Sequence, residues 1–189
     1  PTAPTRIVWT KKRSGIMSRF IWAPEIHLVD GNWCIYFAAA ADQLDPNGML
    51  SHRTYCIQCE GDPMLDEWVE MGQIDTGWES FCIDSTTFVA NGKRYFCWAQ
   101  RDYDIPGNSN LYIAEMLSAT ELKLPATLLT IPEYDWESNT GDDIRPNLFF
   151  DAWSSEYKDP ISDTSTETND RTKVTWLTKY NQFILDTYA

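Results

Sequence analysis

The sequence predicts an all-β fold in which four-stranded antiparallel units stack as propeller blades. Three observations carry this. Asp30-Gly31 and Asn91-Gly92 each stand between two strand-like runs, and both dipeptides suit a type I′ hairpin, whose central positions need positive φ. Superposing Gly31 on Gly92 gives an offset of 61 residues, under which Trp33-Cys-Ile-Tyr-Phe-Ala38 lies over Arg94-Tyr-Phe-Cys-Trp-Ala99. No long apolar stripe of helical period competes with the strands.

Taken in order, Pro4–Thr10, containing Ile7-Val-Trp-Thr10, reads as the last strand of an earlier blade. Glu25–Val29 and Trp33–Ala38 form the first hairpin, Thr54–Cys59 the third strand and Trp68–Ile74 the fourth, while Asp62–Asp66 is too short for a helix. The pattern recurs as Ser85–Ala90, Arg94–Ala99, Leu111–Met116 and Ala126–Ile131. Such sheets cannot bury their faces alone and stack around an axis. Propellers need about four to eight blades and this spacing leaves room for about three, so the expected fold is a partial propeller. From Ser138 the chain turns acidic and polar, with Asp159–Lys173 reading as loop or disorder, and Val174–Leu185 fits either a terminal strand or a short amphipathic helix. The expected division is therefore a propeller portion over residues 1–138 and a divergent tail over 139–189.

A net charge of −13 leaves no basic surface for phosphates, so nucleic acid and anionic membranes are poor partners. Nine Trp, nine Tyr and eight Phe supply flat apolar faces that pack cores and also receive sugar rings. The five cysteines (34, 56, 59, 82 and 97) fall in apolar or alternating runs, where a small hydrophobe is expected and no disulfide framework is evident. Cys56-Ile-Gln-Cys59 has metal-ligand spacing, but no second pair accompanies it and the only histidines are His27 and His52, so no metal is expected. No apolar run reaches membrane-spanning length, and the N-terminal residues lack the pattern of a signal peptide. A secretion signal, if one exists, is expected outside this chain.

In a propeller the first strand of each blade borders the axis, so residues at its start line a shared pocket. Asp84 stands there, opposite Ala23 in the superposition, although Asp84-Ser-Thr-Thr87 also fits a turn or cap. Trp22 is a sugar-stacking or a core residue. Glu25 and His27 alternate with Ile26 and Leu28 and share one strand face, where a local hydrogen bond between them is expected. Phe81, Trp98 and Trp78 flank Asp84 in sequence or across its hairpin, as pocket wall or as core.

Several segments together resemble glycoside hydrolase family 43. They are Ile21-Trp-Ala-Pro-Glu-Ile-His27 with Gly31-Asn-Trp33 and Ile35-Tyr-Phe37, and Ile83-Asp84-Ser-Thr-Thr-Phe88 with Asn91-Gly-Lys-Arg-Tyr95 and Trp98-Ala-Gln100. Gly107–Met116 and Pro132-Glu-Tyr-Asp-Trp-Glu137 resemble its exo-acting α-L-arabinofuranosidase branch in particular. The resemblance covers about Ile7 to Glu137. It implies a five-bladed propeller, secretion, and an inverting mechanism with a general base, a general acid and a third carboxylate that orients the sugar and tunes the acid. Asp84 matches the third. The base would lie in a blade upstream of Pro1, and the acid in an Asn-Glu-Gly-Pro segment after Tyr134-Asp-Trp136, where this chain reads Ser138-Asn-Thr-Gly-Asp-Asp-Ile-Arg-Pro-Asn-Leu-Phe-Phe150. Glu137 belongs to the preceding motif and does not inherit the acid's role.

The implied substrates are arabinose-containing plant polysaccharides, with Trp22, Trp98 and Phe81 as candidate sugar-binding residues. Arabinofuranosidase action is the leading reading. A non-catalytic carbohydrate-binding fragment, and β-xylosidase or endo-arabinanase action, are the alternatives. No cofactor is expected; the axial metal that the family can carry would take its ligands from segments not matched here. Unclosed sheet edges make self-association a further expectation.

Overall fold

A computed structural model of the chain describes residues 4–41, 51–105 and 109–132, together with the backbone of two strands at 172–177 and 182–187. Nine strands fall in the first portion: β1 (Thr5–Thr10), β2 (Arg19–Val29), β3 (Asn32–Ala40), β4 (Arg53–Cys59), β5 (Trp68–Gln73), β6 (Cys82–Ala90), β7 (Lys93–Gln100), β8 (Asn110–Glu115) and β9 (Thr127–Thr130). Two more, β10 (Thr172–Leu177) and β11 (Gln182–Thr187), follow. No helix occurs among the described residues.

The strands form three antiparallel sheets, ordered β2-β3-β4-β5, β6-β7-β8-β9 and β1-β11-β10. The first two are the repeated units expected from the sequence. Val29 pairs with Asn32 and Ala90 with Lys93, leaving two-residue loops in which Asp30, Gly31, Asn91 and Gly92 all have positive φ. The 61-residue offset survives as register: Trp22 faces Ala38 and Glu25 faces Tyr36 in one hairpin, as Ile83 faces Ala99 and Thr86 faces Cys97 in the other.

Two features differ from expectation. Strand β1 pairs with β11, which pairs in turn with β10, so its neighbours come from the far end of the sequence rather than from preceding strands. The segment at 174–185 is a hairpin. The boundary at residue 138 and the stretch 159–171 lie outside the described residues, but the hairpin beyond them joins a sheet with β1, and β10 runs beside β2.

Stacking explains the burial. Strand β3 is buried without interruption from Cys34 to Ala40 because both its faces are covered, which turns alternation into a continuous apolar run. Ile35, Phe37 and Ala39 pack with Trp9, Ile21, Tyr55 and Ile57 on one side. Cys34 and Tyr36 pack with Phe96, Trp98 and Tyr112 of the next sheet on the other. Polar contacts also fasten the pair of sheets, among them the Tyr36 hydroxyl donating to Ala119 O at 2.7 Å and Arg94 Nη2 donating to Leu28 O at 2.9 Å. The far face of the second sheet, by contrast, leaves Phe88 and Leu111 exposed.

The I′ turns provide a direct check. No heavy atom lies within 4 Å of a Cβ built on Gly31, whose φ is +85°, so a substitution there meets backbone strain alone. Gly31→Val is expected to lower stability in chemical denaturation by about 1–2 kcal/mol, and Gly31→Asn by less, because asparagine tolerates the left-handed region.

Candidate functional site

The inner strands β2 and β6 do not run straight. Their registers slip between Trp22 and Glu25 and between Ile83 and Thr86, and each slip holds one left-handed residue, Ala23 (φ 44°) and Asp84 (φ 52°). The two bulges occupy equivalent places in the repeat. Bulges beside functional sites re-aim a side chain, and an alanine held left-handed costs about 1–2 kcal/mol. The structure sustains a left-handed residue at this place in both sheets. A second slip between Arg19 and Trp22 contains Phe20, also left-handed (φ 48°).

Asp84 is exposed to solvent at the start of β6, where β2 and β4 of the first sheet approach. Partial desolvation there, followed by the negative field of Glu25, raises its pKa above the ordinary carboxylate value, an effect moderated by its exposure. The Glu25 carboxylate is itself held 2.8 Å from His27 Nε2, the local bond expected from their shared strand face.

Trp22 is half-buried and lies flat on His52, with ring centroids 3.9 Å apart and planes 24° apart. His52 is fully buried at the threshold of β4. Its Nε2 meets the carbonyl of Phe20 at 3.0 Å, so Nε2 carries the proton and donates, because a carbonyl only accepts. Burial pushes the imidazole pKa down to about 3, which keeps the ring neutral under physiological conditions. Phe20 and Phe81, equivalent under the 61-residue offset, flank it at 6.0 and 5.3 Å.

Of the sequence-derived candidates, Asp84, Trp22 and Phe81 therefore gather around the starts of β2 and β6. Phe81 is buried and meets His52 edge-on, at 78°. Trp98 differs. It is fully enclosed between Phe96 and Tyr112, and its Nε1 donates to Gln100 Oε1 at 2.7 Å. An indole with no exposed face offers no platform to a sugar, so Trp98 is inter-sheet core. Trp78 packs edge-on against Tyr112 at 4.9 Å and donates to Arg101 O at 3.0 Å. The residue missed by sequence reasoning is His52. It stands next to no motif, and only the matched pair Phe20 and Phe81 hinted that something between them is shared.

Among the described residues no three His, Cys, Asp or Glu side chains converge as a metal cluster. These residues do not fit a resident metal, and no chemistry is routed through one. The Cys56 thiol points into the inter-sheet core and Cys59 bonds Asp62 O at 3.7 Å, so the pair does not act as one ligand set.

Stacked four-stranded sheets with a carboxylate on the bulge of β6 and a half-buried tryptophan at the equivalent slip of β2 make a carbohydrate-processing fold the class to compare. The family model for glycosyl hydrolases family 43 matches residues 2–143, and this chain belongs to that family. It is 39% identical over 137 residues to an extracellular exo-α-(1→5)-L-arabinofuranosidase of Streptomyces chartreusis, covering 72% of this chain and 40% of that protein. It is also 39% identical over 138 residues to α-L-arabinofuranosidase 43 of Humicola insolens, covering 72% of this chain and 28% of that one. A crystal structure of α-L-arabinofuranosidase from Lactobacillus brevis superposes with a TM-score of 0.64 at 52% identity, covering 68% of this chain and 42% of that chain. The chain thus spans less than half the length of these relatives.

Two measurements check the placements. Trp98→Ala is expected to destabilise the fold by about 3–5 kcal/mol in denaturant unfolding, the range for deleting a buried aromatic; a loss below about 1 kcal/mol would place the indole outside the core. Asp84→Asn is expected to raise the denaturation midpoint at pH 7, because it removes a desolvated charge facing Glu25 while asparagine keeps the left-handed backbone. A raised pKa means that the folded chain holds this proton more tightly than the unfolded chain. The wild type therefore closes the gap as pH falls through the raised pKa toward the ordinary value of 3.8. A gap that is constant with pH would remove the assigned cause.

Proposed function

We propose that this chain is part of a five-bladed propeller glycosidase that releases terminal α-L-arabinofuranosyl units from arabinose-containing plant polysaccharides with inversion. The observation that carries the reading is Asp84: it lies in a family-matched segment, on a strained bulge, with its carboxyl held above the ordinary range and Glu25 facing it. The exposed far face of the second sheet supports the propeller, since a blade is stable only when both faces are covered.

In this reading Asp84 orients the sugar and tunes the general acid by its charge, and Trp22 lies beneath the furanose ring. Inversion needs base and acid carboxyls roughly 6.5–9.5 Å apart, so that water attacks the anomeric carbon on one side while the acid protonates the leaving oxygen on the other. Neither role is assigned to a residue of this chain: the base belongs to an earlier blade, and the acid to the segment after Trp136. That the Streptomyces chartreusis relative is an extracellular enzyme supports secretion. Unpaired edges and the exposed Phe88, Leu111 and Leu128 support self-association of this portion by itself.

A second reading, carbohydrate binding without turnover, is favoured by one observation. Ser138–Phe150 stands in place of the Asn-Glu-Gly-Pro segment expected for the acid.

The deciding experiment offers the purified chain, checked by light scattering for its state of association, p-nitrophenyl α-L-arabinofuranoside and α-1,5-linked arabinotriose. The folded chain is expected to bind arabinotriose in preference to xylotriose and to hydrolyse neither compound. Hydrolysis abolished by Asp84→Asn would mean that base and acid are present after all. Failure to bind arabinotriose would sink the arabinofuranoside reading.

A further inference from the structure

We propose that His52 is the positioning residue of the sugar platform, holding the indole plane of Trp22 and tying it to the strand that carries Asp84. This rests on the reading of Trp22 as the residue beneath the sugar.

Five contacts converge on His52. Its ring lies against one face of the half-buried Trp22 indole, with centroids 3.9 Å apart. Its Nε2–H donates to the carbonyl of Phe20 at 3.0 Å. Phe20 is an aromatic residue held at φ 48° inside the extra bulge two positions before Trp22, a conformation that persists only where its surroundings over-determine it. Phe81 closes the imidazole edge-on at 5.3 Å. Finally, the carbonyl of His52 accepts from Cys82 N–H at 3.1 Å, two residues before Asp84, and from Arg53 Nη1 at 2.7 Å.

The choice of histidine supports the role. Nδ1 is buried with no hydrogen-bond partner among the described residues, a desolvation penalty that phenylalanine avoids while stacking equally well. What only a polar ring adds is the bond to Phe20 O, which fixes the bulge that aims Trp22. One side chain thus sets the tilt of the indole, the backbone leading to it, and its distance from Asp84.

The test is a double-mutant cycle on the whole chain with arabinotriose, read by calorimetry. His52→Gln, which retains a donor and loses the ring, is expected to weaken binding about tenfold, the worth of a stacked aromatic pair. His52→Phe, which retains the ring, is expected to recover part of that loss. On a Trp22→Ala background the His52→Gln effect is expected to vanish, because a positioning residue acts only through what it positions. An undiminished effect on that background, or no effect in wild type, overturns the proposal. Should the wild-type chain bind no arabinotriose, the function proposed above falls, and His52 is tested separately by acrylamide quenching of the Trp22 emission, isolated by subtracting Trp22→Phe. Quenching unchanged by His52→Gln would then overturn it. Should the variants not fold, the wild type decides: nitrogen-15 NMR should show the Nε2–H tautomer of His52 with an Overhauser contact to the Trp22 indole, and absence of either refutes the arrangement.

Discussion

Everything in this molecule depends on a sheet being unable to cover itself. A four-stranded antiparallel sheet has two faces, and burial of apolar area drives folding only where another layer meets each one. The first sheet meets that condition twice, against Trp9 of β1 on one side and against Phe96, Trp98 and Tyr112 on the other. Its second strand is therefore buried without a break from Cys34 to Ala40. The second sheet meets it once, and its outermost strand β9 is exposed along its whole length. Blade stacking thus positions the site as a consequence of packing, because two stacked sheets bring the starts of their inner strands together.

At that meeting place the regular ladder gives way. The bulges at Ala23 and Asp84 interrupt pairing at equivalent positions, and the backbone is held left-handed in both. A regular strand would send successive side chains to opposite faces. The bulge breaks that alternation and re-aims one residue. In the first sheet the residue is a small alanine next to Trp22; in the second it is the carboxylate Asp84. The repeat therefore places two different side chains in one backbone geometry. The raised pKa of Asp84 and the strained backbone beneath it both oppose stability, which is the usual signature of a site retained for something other than folding.

Membership of glycosyl hydrolases family 43 rests on a match over most of the chain, yet the chain represents less than half of the compared relatives. The contrast separates what the parts do. The pair of stacked sheets brings Trp22, the neutral buried His52 and the start of the strand that carries Asp84 together. Glycosidic cleavage by inversion needs a base and an acid on opposite sides of the anomeric carbon.

The sequence by itself determined the strands, the two I′ turns, the repeat and its offset, because these are local: Asp30-Gly31 and Asn91-Gly92 encode positive φ, and alternating apolar residues encode period two. It also brought Trp22 and Asp84 forward, through motif and repeat together, and paired Glu25 with His27 by strand parity. Tertiary structure decided the rest. The bulges that lengthen β2 and β6 break the alternation on which strand reading relies, so Arg19–Pro24 carried no clean periodic signal. Trp98 and Trp22 are the same residue type in similar runs, and only the packing around each one separates a fully enclosed indole from a half-buried one. The partner of β1 lies at the opposite end of the chain, and His52 reaches its role through Phe20, Trp22, Phe81 and Cys82. Contacts so distant along the chain leave no periodicity to read, since they are fixed by how the sheets stack and not by any spacing within them.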